Sequence, residues 1–223
     1  MKQNVIIILA SGSPRRKELL EQAGLEFQII TSDVDEKANS DIPQEVVIEL
    51  SEQKCSAVAD EFIRKTLKTD SAELMNMLLI DSGGFLVVGA DTIVSMNNKI
   101  LGKPENSSDA KKCLMSLSGQ IHEVYTGVSC KYLTYSEYNK GLIEADRFSF
   151  YSKTLVKMYP FNEYEALDYI ATGEPNDKAG SYGIQGIGAR LVESIEGDYN
   201  NVVGFPLAKF MKELELRHYI SYD

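Results

Sequence analysis

The residues best suited to chemistry fall in a few short clusters. Ser11-Gly12-Ser13-Pro14-Arg15-Arg16 joins an apolar run to a helical pattern. Free amides and the helix dipole at such a junction attract an anion. Gly12 lets a ligand approach the backbone, Ser11 and Ser13 add hydroxyl donors, and the guanidiniums of Arg15 and Arg16 match phosphate oxygens. Each charge-assisted hydrogen bond is worth roughly 1.5–3 kcal/mol, so several together would hold a triphosphate. The plainer alternative is a capped helix with solvated arginines. Gly89-Ala90-Asp91-Thr92 follows the buried stretch Phe85–Val88. A carboxylate leaving the C-terminal end of a buried strand stands where α/β proteins place ligand chemistry, and Asp91 could hold a metal, activate a water or both. Its alternative is an aspartate that merely turns the chain.

Three further features qualify. The acidic loop Asp33-Val34-Asp35-Glu36 could supply another ligand, although such loops are usually just solvated. Lys54, within a long helix, and Lys103, in Leu101-Gly102-Lys103-Pro104, are candidate phosphate cations or ordinary surface lysines. Asp177-Lys178-Ala179-Gly180-Ser181-Tyr182-Gly183-Ile184-Gln185-Gly186 has the glycines of a sharply bent backbone. Its Tyr182, Ile184 and Gln185 are atypical of a mobile linker. Walker A, GxSxG and HExxH motifs are all absent, which removes P-loop transfer, serine hydrolysis and zinc proteolysis.

These clusters need elements to carry them. Val5–Leu9 reads as a central strand, Arg15–Ala23 as a helix stopped by Gly24, and Glu26–Thr31 as a second strand. Asp41 and Pro43 announce a long helix to about Phe62, and a short helix is expected over Ala72–Leu79. Phe85–Gly89 reads as a strand and Ile93–Leu101 as a hairpin turned by Asn97-Asn98. Ser108 can cap a helix to Leu117, ended by Gly119. The segments 121–134 and 142–157 are rich in β-formers and read as long antiparallel strands. Asn162 opens a helix to about Thr172, Arg190–Ile195 reads as a strand, and Pro206 starts a terminal helix. The sum is a mixed α/β domain without internal repeats.

Composition narrows the function. The 223 residues are enough for one domain with a substantial core, and 43% hydrophobic with 25% charged residues excludes wholesale disorder. A net charge of -10 leaves no footprint for a nucleic-acid polymer. The longest apolar run, Val5–Ala10, is far short of a membrane span. Cys55, Cys113 and Cys130 are scattered, which suits a reducing, cytoplasmic setting and neither a zinc site nor a disulfide framework. With only His122 and His218, a metal would be held by carboxylates, hence a hard ion such as Mg²⁺ or Mn²⁺.

In order, these segments resemble the Maf family of nucleotide pyrophosphatases. The match runs from Ile6–Arg16 through Gly89–Thr92, Leu101–Pro104, Leu117–Gly119 and Tyr125–Val128. It continues to Asp177–Gly186 and Gly197–Pro206, covering nearly the whole chain. The resemblance implies a two-lobed α/β fold like that of inosine triphosphate pyrophosphatases, with a mixed twisted sheet, flanking helices and a central cleft in a single domain, residues 1–223. It implies cleavage of a nucleoside triphosphate between its α- and β-phosphates with a divalent metal. Asp91 matches the proton acceptor, Glu36 the acidic position near the metal, and Ser11, Arg16, Lys54 and Lys103 phosphate-side positions, with Lys178 in a matched substrate-side segment. Arg15, Thr92 and Gln185 agree with the branch acting on dTTP and UTP. A glutamine amide offers one donor and one acceptor, complementary to N3–H and O4 of uracil or thymine.

Two rival readings accompany this one. One is a nucleotide-binding regulator of cell division or septation without turnover; the other is a house-cleaning enzyme for modified pyrimidine triphosphates. The stretch Arg64–Gly84 is longer than the family usually has and reads as an insertion. It leaves the oligomeric state open, a homodimer included.

Overall fold

The structure is a computed structural model, and it describes residues 1–66 and 83–222. The helix expected over Ala72–Leu79 and most of the expected insertion lie outside them. Strand β1 (Lys2–Gln3) is followed by β2 (Ile6–Leu9), helix α1 (Pro14–Gln22), β3 (Phe27–Ile29) and the long helix α2 (Pro43–Thr66). Next come β4 (Phe85–Met96), β5 (Lys99–Leu101), α3 (Ser107–Leu117), β6 (Ile121–Ser136), β7 (Gly141–Met158) and α4 (Glu163–Ala171). The 3-10 turns Glu174–Asp177, Ala179–Ser181 and Gly186–Leu191 lead to β8 (Val192–Glu196), α5 (Tyr199–Val203), α6 (Leu207–Leu216) and β9 (Ile220–Ser221). The main sheet runs β3-β2-β4-β6-β7-β8, with β5 added on β4, and β1 pairs β9 separately. None of the described helices is long and apolar enough to cross a membrane.

Strand β4 organises everything else. Along one edge it pairs antiparallel with β6, from Phe85↔Leu133 to Ser95↔Glu123. Along the other it pairs parallel with β2 only from Phe85 to Val88, and antiparallel with β5 only from Val94 to Met96. Gly89–Ile93 therefore faces a gap in the sheet. The sequence reading ended this strand at Gly89 and placed Asp91 at a strand end, but Asp91 sits mid-strand opposite Gly127. The glycine is demanded by packing and does not stop the strand. A Cβ on Gly89 would lie 2.3 Å from the Ser51 carbonyl oxygen, and one on Gly127 would lie 2.3 Å from that of Val47. These two positions let the α2 backbone rest directly on the sheet.

Alternation along β4 sorts the rest. On the α2 face, Phe85, Val87 and Leu133 pack with Cys55, Val58 and Ala59, and Ile93 and Tyr125 pack with Val46 and Val47. The opposite face carries two apolar clusters. Leu86, Val88, Ala90 and Val128 meet Leu19 and Leu20 of α1 and Phe210 and Leu214 of α6. Val94, Val124 and Val156 meet Leu114 and Leu117 of α3 and Ala166, Tyr169 and Ile170 of α4. A polar band separates them: the Thr92 and Thr126 hydroxyls lie 2.9 Å apart, Thr126 Oγ1 donates to the Asn201 carbonyl at 2.9 Å, and Asn201 Nδ2 donates to Thr154 Oγ1 at 2.9 Å.

Several sequence expectations shift by a few residues. Helix α3 is capped by Asn106, whose Oδ1 accepts from the Asp109 N–H at 3.0 Å, so Ser108 lies inside it. Strand β8 starts at Val192 because Gly186–Leu191 winds a 3-10 turn. Asn162 caps α4 as expected, in a full capping box with Glu165. Asn97 and Asn98 turn the β4–β5 hairpin with φ of 52° and 60°.

Substituting Gly89→Ala should push α2 off the sheet and lower the unfolding free energy by about 1–3 kcal/mol, the usual cost of overpacking. Urea denaturation of the wild type and the variant would measure it, and equal midpoints would contradict the packing argument.

Candidate active site

The gap in the sheet opens into a cavity of about 430 Å³. That volume lies within the range of small-molecule sites. Its wall brings together Ser11, Gly12, Ser13, Arg15, Arg16, Lys54, Asp91, Thr92, Lys103, Lys178 and Gln185, which the sequence singled out. Asp91 and Thr92 project from opposite faces of β4, yet both reach the cavity because no strand covers that edge.

On the α2 face, Lys54 Nζ donates to Asp91 Oδ1 at 2.5 Å and lies 2.9 Å from Glu36 Oε2. Glu36 therefore stands behind the lysine and outside the cavity wall, and is joined to Asp91 through a shared cation. The rest of the acidic loop takes no part: Asp35 pairs with Lys37 at 2.5 Å in the solvent. The second oxygens of Asp91 and Glu36 have no hydrogen-bond partner among the described residues.

On the opposite face, Arg16 holds three pieces of backbone in register. Its Nε donates to the Gly204 carbonyl at 2.9 Å, one terminal nitrogen to Ser11 Oγ at 3.0 Å, and the other to Thr92 Oγ1 at 3.2 Å. Burial pushes its pKa down while the charge of Asp91 pulls the other way. A guanidinium has five N–H donors, so Arg16 keeps some of them for a ligand while framing the Ser11 loop. Helix α1 has no side-chain cap from Ser13 and Pro14 has no N–H, so the amides of Arg15 and Arg16 are without a partner among the described residues. Arg15 reaches across the cavity mouth to Asp177, 3.5 Å away. Lys178 Nζ donates to Asp177 Oδ1 at 2.7 Å and to the Glu174 carbonyl at 2.6 Å. Lys103 is exposed and has no ion-pair partner among the described residues. Gln185 is likewise exposed at the cavity wall.

The site thus offers clustered cations and amides to a polyanion, with one nearly buried carboxylate beside them. Residues 6–217 match the model of the family described as Maf-like protein. The chain belongs to the Maf family. Relatives of this Maf-like protein include the dTTP/UTP pyrophosphatase of Agathobacter rectalis, 46% identical over 93% of this chain and 95% of its own length. The dTTP/UTP pyrophosphatase of Bacillus thuringiensis is 44% identical over 94% of both chains.

Several contributors to this Maf site escaped the sequence reading. Asp177, Thr126 and Asn201 lie in matched segments with nothing local to mark their roles, and Glu174 carries no local signal, because their partners are distant in the chain. The contact between His122 and Tyr182 is likewise long-range. Their rings meet edge to face at 5.2 Å, with His122 Nε2 2.7 Å from the Tyr182 hydroxyl, and Tyr182 lines the cavity. Burial lowers His122 from 6.5 to about 4 and raises Tyr182, so both are neutral in the fold.

A base with a depressed folded pKa loses stability as pH falls, because the unfolded chain takes up the proton first. The penalty should grow between pH 6.5 and about 4, reaching roughly 3 kcal/mol. Unfolding of wild type and His122→Leu across that range should diverge by this amount, and parallel pH profiles would reject a neutral buried His122.

Proposed function

We propose that this Maf-like chain hydrolyses dTTP and UTP to the monophosphate and pyrophosphate. The observation that carries the reading is the convergence, on one cavity, of Asp91 paired with Lys54 and of the Ser11 loop framed by Arg16. The names of the relatives supply the substrate class, and the residues supply the chemistry.

In this reading residues 1–223 act as one domain whose two lobes flank the cavity. The triphosphate lies along the Ser11 loop and the first-turn amides of Arg15 and Arg16, with Gly12 leaving room for it and the Ser13 hydroxyl adding a donor. The Ser13 N–H meanwhile holds Ser11 Oγ at 3.3 Å. Arg15 leaves Asp177 to meet the phosphates, joined by the exposed ammonium of Lys103 and by Lys178. Arg16 acts mainly by keeping Ser11 and Thr92 in place. Asp91 takes the proton of a water as it attacks the α-phosphorus, the bond to the bridging oxygen breaks, and pyrophosphate leaves against the surrounding cations. Lys54 balances the charge of Asp91 and Glu36 and fixes the direction of both. The Gln185 amide faces the base, matching N3–H and O4 with one acceptor and one donor.

The donor set also suits a divalent ion. No group of three or more His, Cys, Asp or Glu side chains gathers among the described residues. Mg²⁺ needs only one or two carboxylates when phosphate oxygens and water complete its shell. The unpartnered oxygens of Asp91 and Glu36 meet that requirement, and Mn²⁺ has the same taste for oxygen. Such an ion would withdraw charge from the triphosphate and lower the pKa of a water.

Asp91→Asn should reduce pyrophosphate release from UTP by about 10²–10⁴-fold, the span of general-base catalysis, with the melting temperature largely kept. A screen of canonical and modified triphosphates, with Mg²⁺, with Mn²⁺ and with chelator, reads turnover and metal dependence together. Near-full activity of the variant would remove Asp91 from the chemistry. Tight nucleotide binding without release of pyrophosphate would favour a regulator.

A further inference from the structure

Gln185 has no side-chain hydrogen bond among the described residues, so its direction is set by the backbone that carries it. That backbone is tied down on both sides. Two residues before it, the Gly183 N–H donates to the Tyr169 hydroxyl at 3.1 Å. Two residues after it, the Ile187 N–H donates to Glu174 Oε2 at 2.9 Å, and the Gly188 N–H donates to Glu174 Oε1 at 3.0 Å. The two anchors are one unit, because the Tyr169 hydroxyl donates to Glu174 Oε1 at 2.8 Å. Tyr169 lies on α4 with its side chain fully buried, so the loop is fastened to the hydrophobic core.

The loop is shaped around this carboxylate. Gly186 has a φ of 68°, and a Cβ there would come within 2.7 Å of Glu174 Oε2. Burial alone would raise the Glu174 pKa, but the N–H groups of Ile187 and Gly188, the Tyr169 hydroxyl and Lys178 outweigh it and hold it below the usual range. Glu174 is therefore ionised at neutral pH and acceptor-only at both oxygens, which is what three converging donors require.

We propose that Glu174 is a positioning residue for base discrimination: it fixes the Gly183–Gly188 loop and thereby aims Gln185 into the cavity. The inference rests on Gln185 being the base contact. Glu174 is not among the residues that line the cavity, so its role there runs through the loop it holds. Replacing its carboxylate with an amide presents an N–H₂ to a backbone N–H, so one anchor is lost while size and shape are kept.

The test measures kcat/KM for UTP and CTP in wild type, Glu174→Gln, Gln185→Ala and the double variant, together with amide hydrogen exchange over the loop. Glu174→Gln should lower the UTP/CTP ratio about tenfold, the order expected when a polar contact to the base is mispaired. It should also speed exchange at Ile187 and Gly188. The double variant should show no further fall beyond Gln185→Ala, because both changes remove the same contact. Tyr169→Phe, which deletes one hydroxyl and keeps the packing, should shift the ratio in the same direction. An unchanged ratio in Glu174→Gln, or effects that simply add in the double variant, would overturn the proposal. So would unchanged exchange at Ile187 and Gly188, a readout that does not depend on turnover. Faster exchange in a protein that releases no pyrophosphate from any triphosphate would keep the anchor and overturn the enzymatic reading instead.

Discussion

The site depends on how closely α2 lies on the sheet. Gly89 and Gly127 have hydrogen where any side chain would strike the Ser51 or Val47 carbonyl. That contact brings Lys54 within 2.5 Å of Asp91, and Lys54 also meets Glu36, whose loop is tied to α2 by Gln53 at the Lys37 backbone. A buried carboxylate without a partner would be costly, and the lysine offsets that cost while leaving one oxygen of each acid available. Helix packing and charge compensation are therefore one constraint.

The second determinant is the break in pairing along β4. Had β2 extended as far as β6, Gly89–Ile93 would be covered and both Asp91 and Thr92 sealed. Because β2 stops at Leu9 and β5 begins pairing only at Val94, the two faces of the sheet communicate through the gap. The Ser11 loop belongs to one face and Asp91 with its lysine to the other, and they meet only there. Arg16 maintains this meeting from below, joining the loop after β2, the middle of β4 and the end of α5.

The electrostatics follow the same plan. In a chain with a net charge of -10, a polyanion is accommodated only where local groups reverse the field. The cations around the cavity are graded. Lys54 is committed to two carboxylates, Arg15 and Lys178 are paired with Asp177, and Lys103 has no ion-pair partner among the described residues. Asp177 thus balances the charge of two of the cations at the cavity wall.

The sequence by itself determined the α/β class, the types of the main helices and strands, and the polar and charged residues of the cavity wall from Ser11 to Gln185. Ser11–Arg16, Asp91, Lys103 and Gln185 lie in short motifs whose local chemistry is set by neighbours in the chain. Turn and cap chemistry was legible for the same reason, as at Asn162 and Asn97-Asn98, because those hydrogen bonds span only a few residues. Tertiary structure decided the rest. That Gly89 continues a strand, that Glu36 alone of its acidic loop reaches the site, and that Arg16 frames the cavity all depend on partners many positions away. Glu174 and Tyr169 were invisible for the same reason: the amides they hold, at Gly183, Ile187 and Gly188, identify them only once the chain has folded back. Periodicity and motif report local backbone preference, whereas a long-range contact adds no pattern to either stretch that makes it.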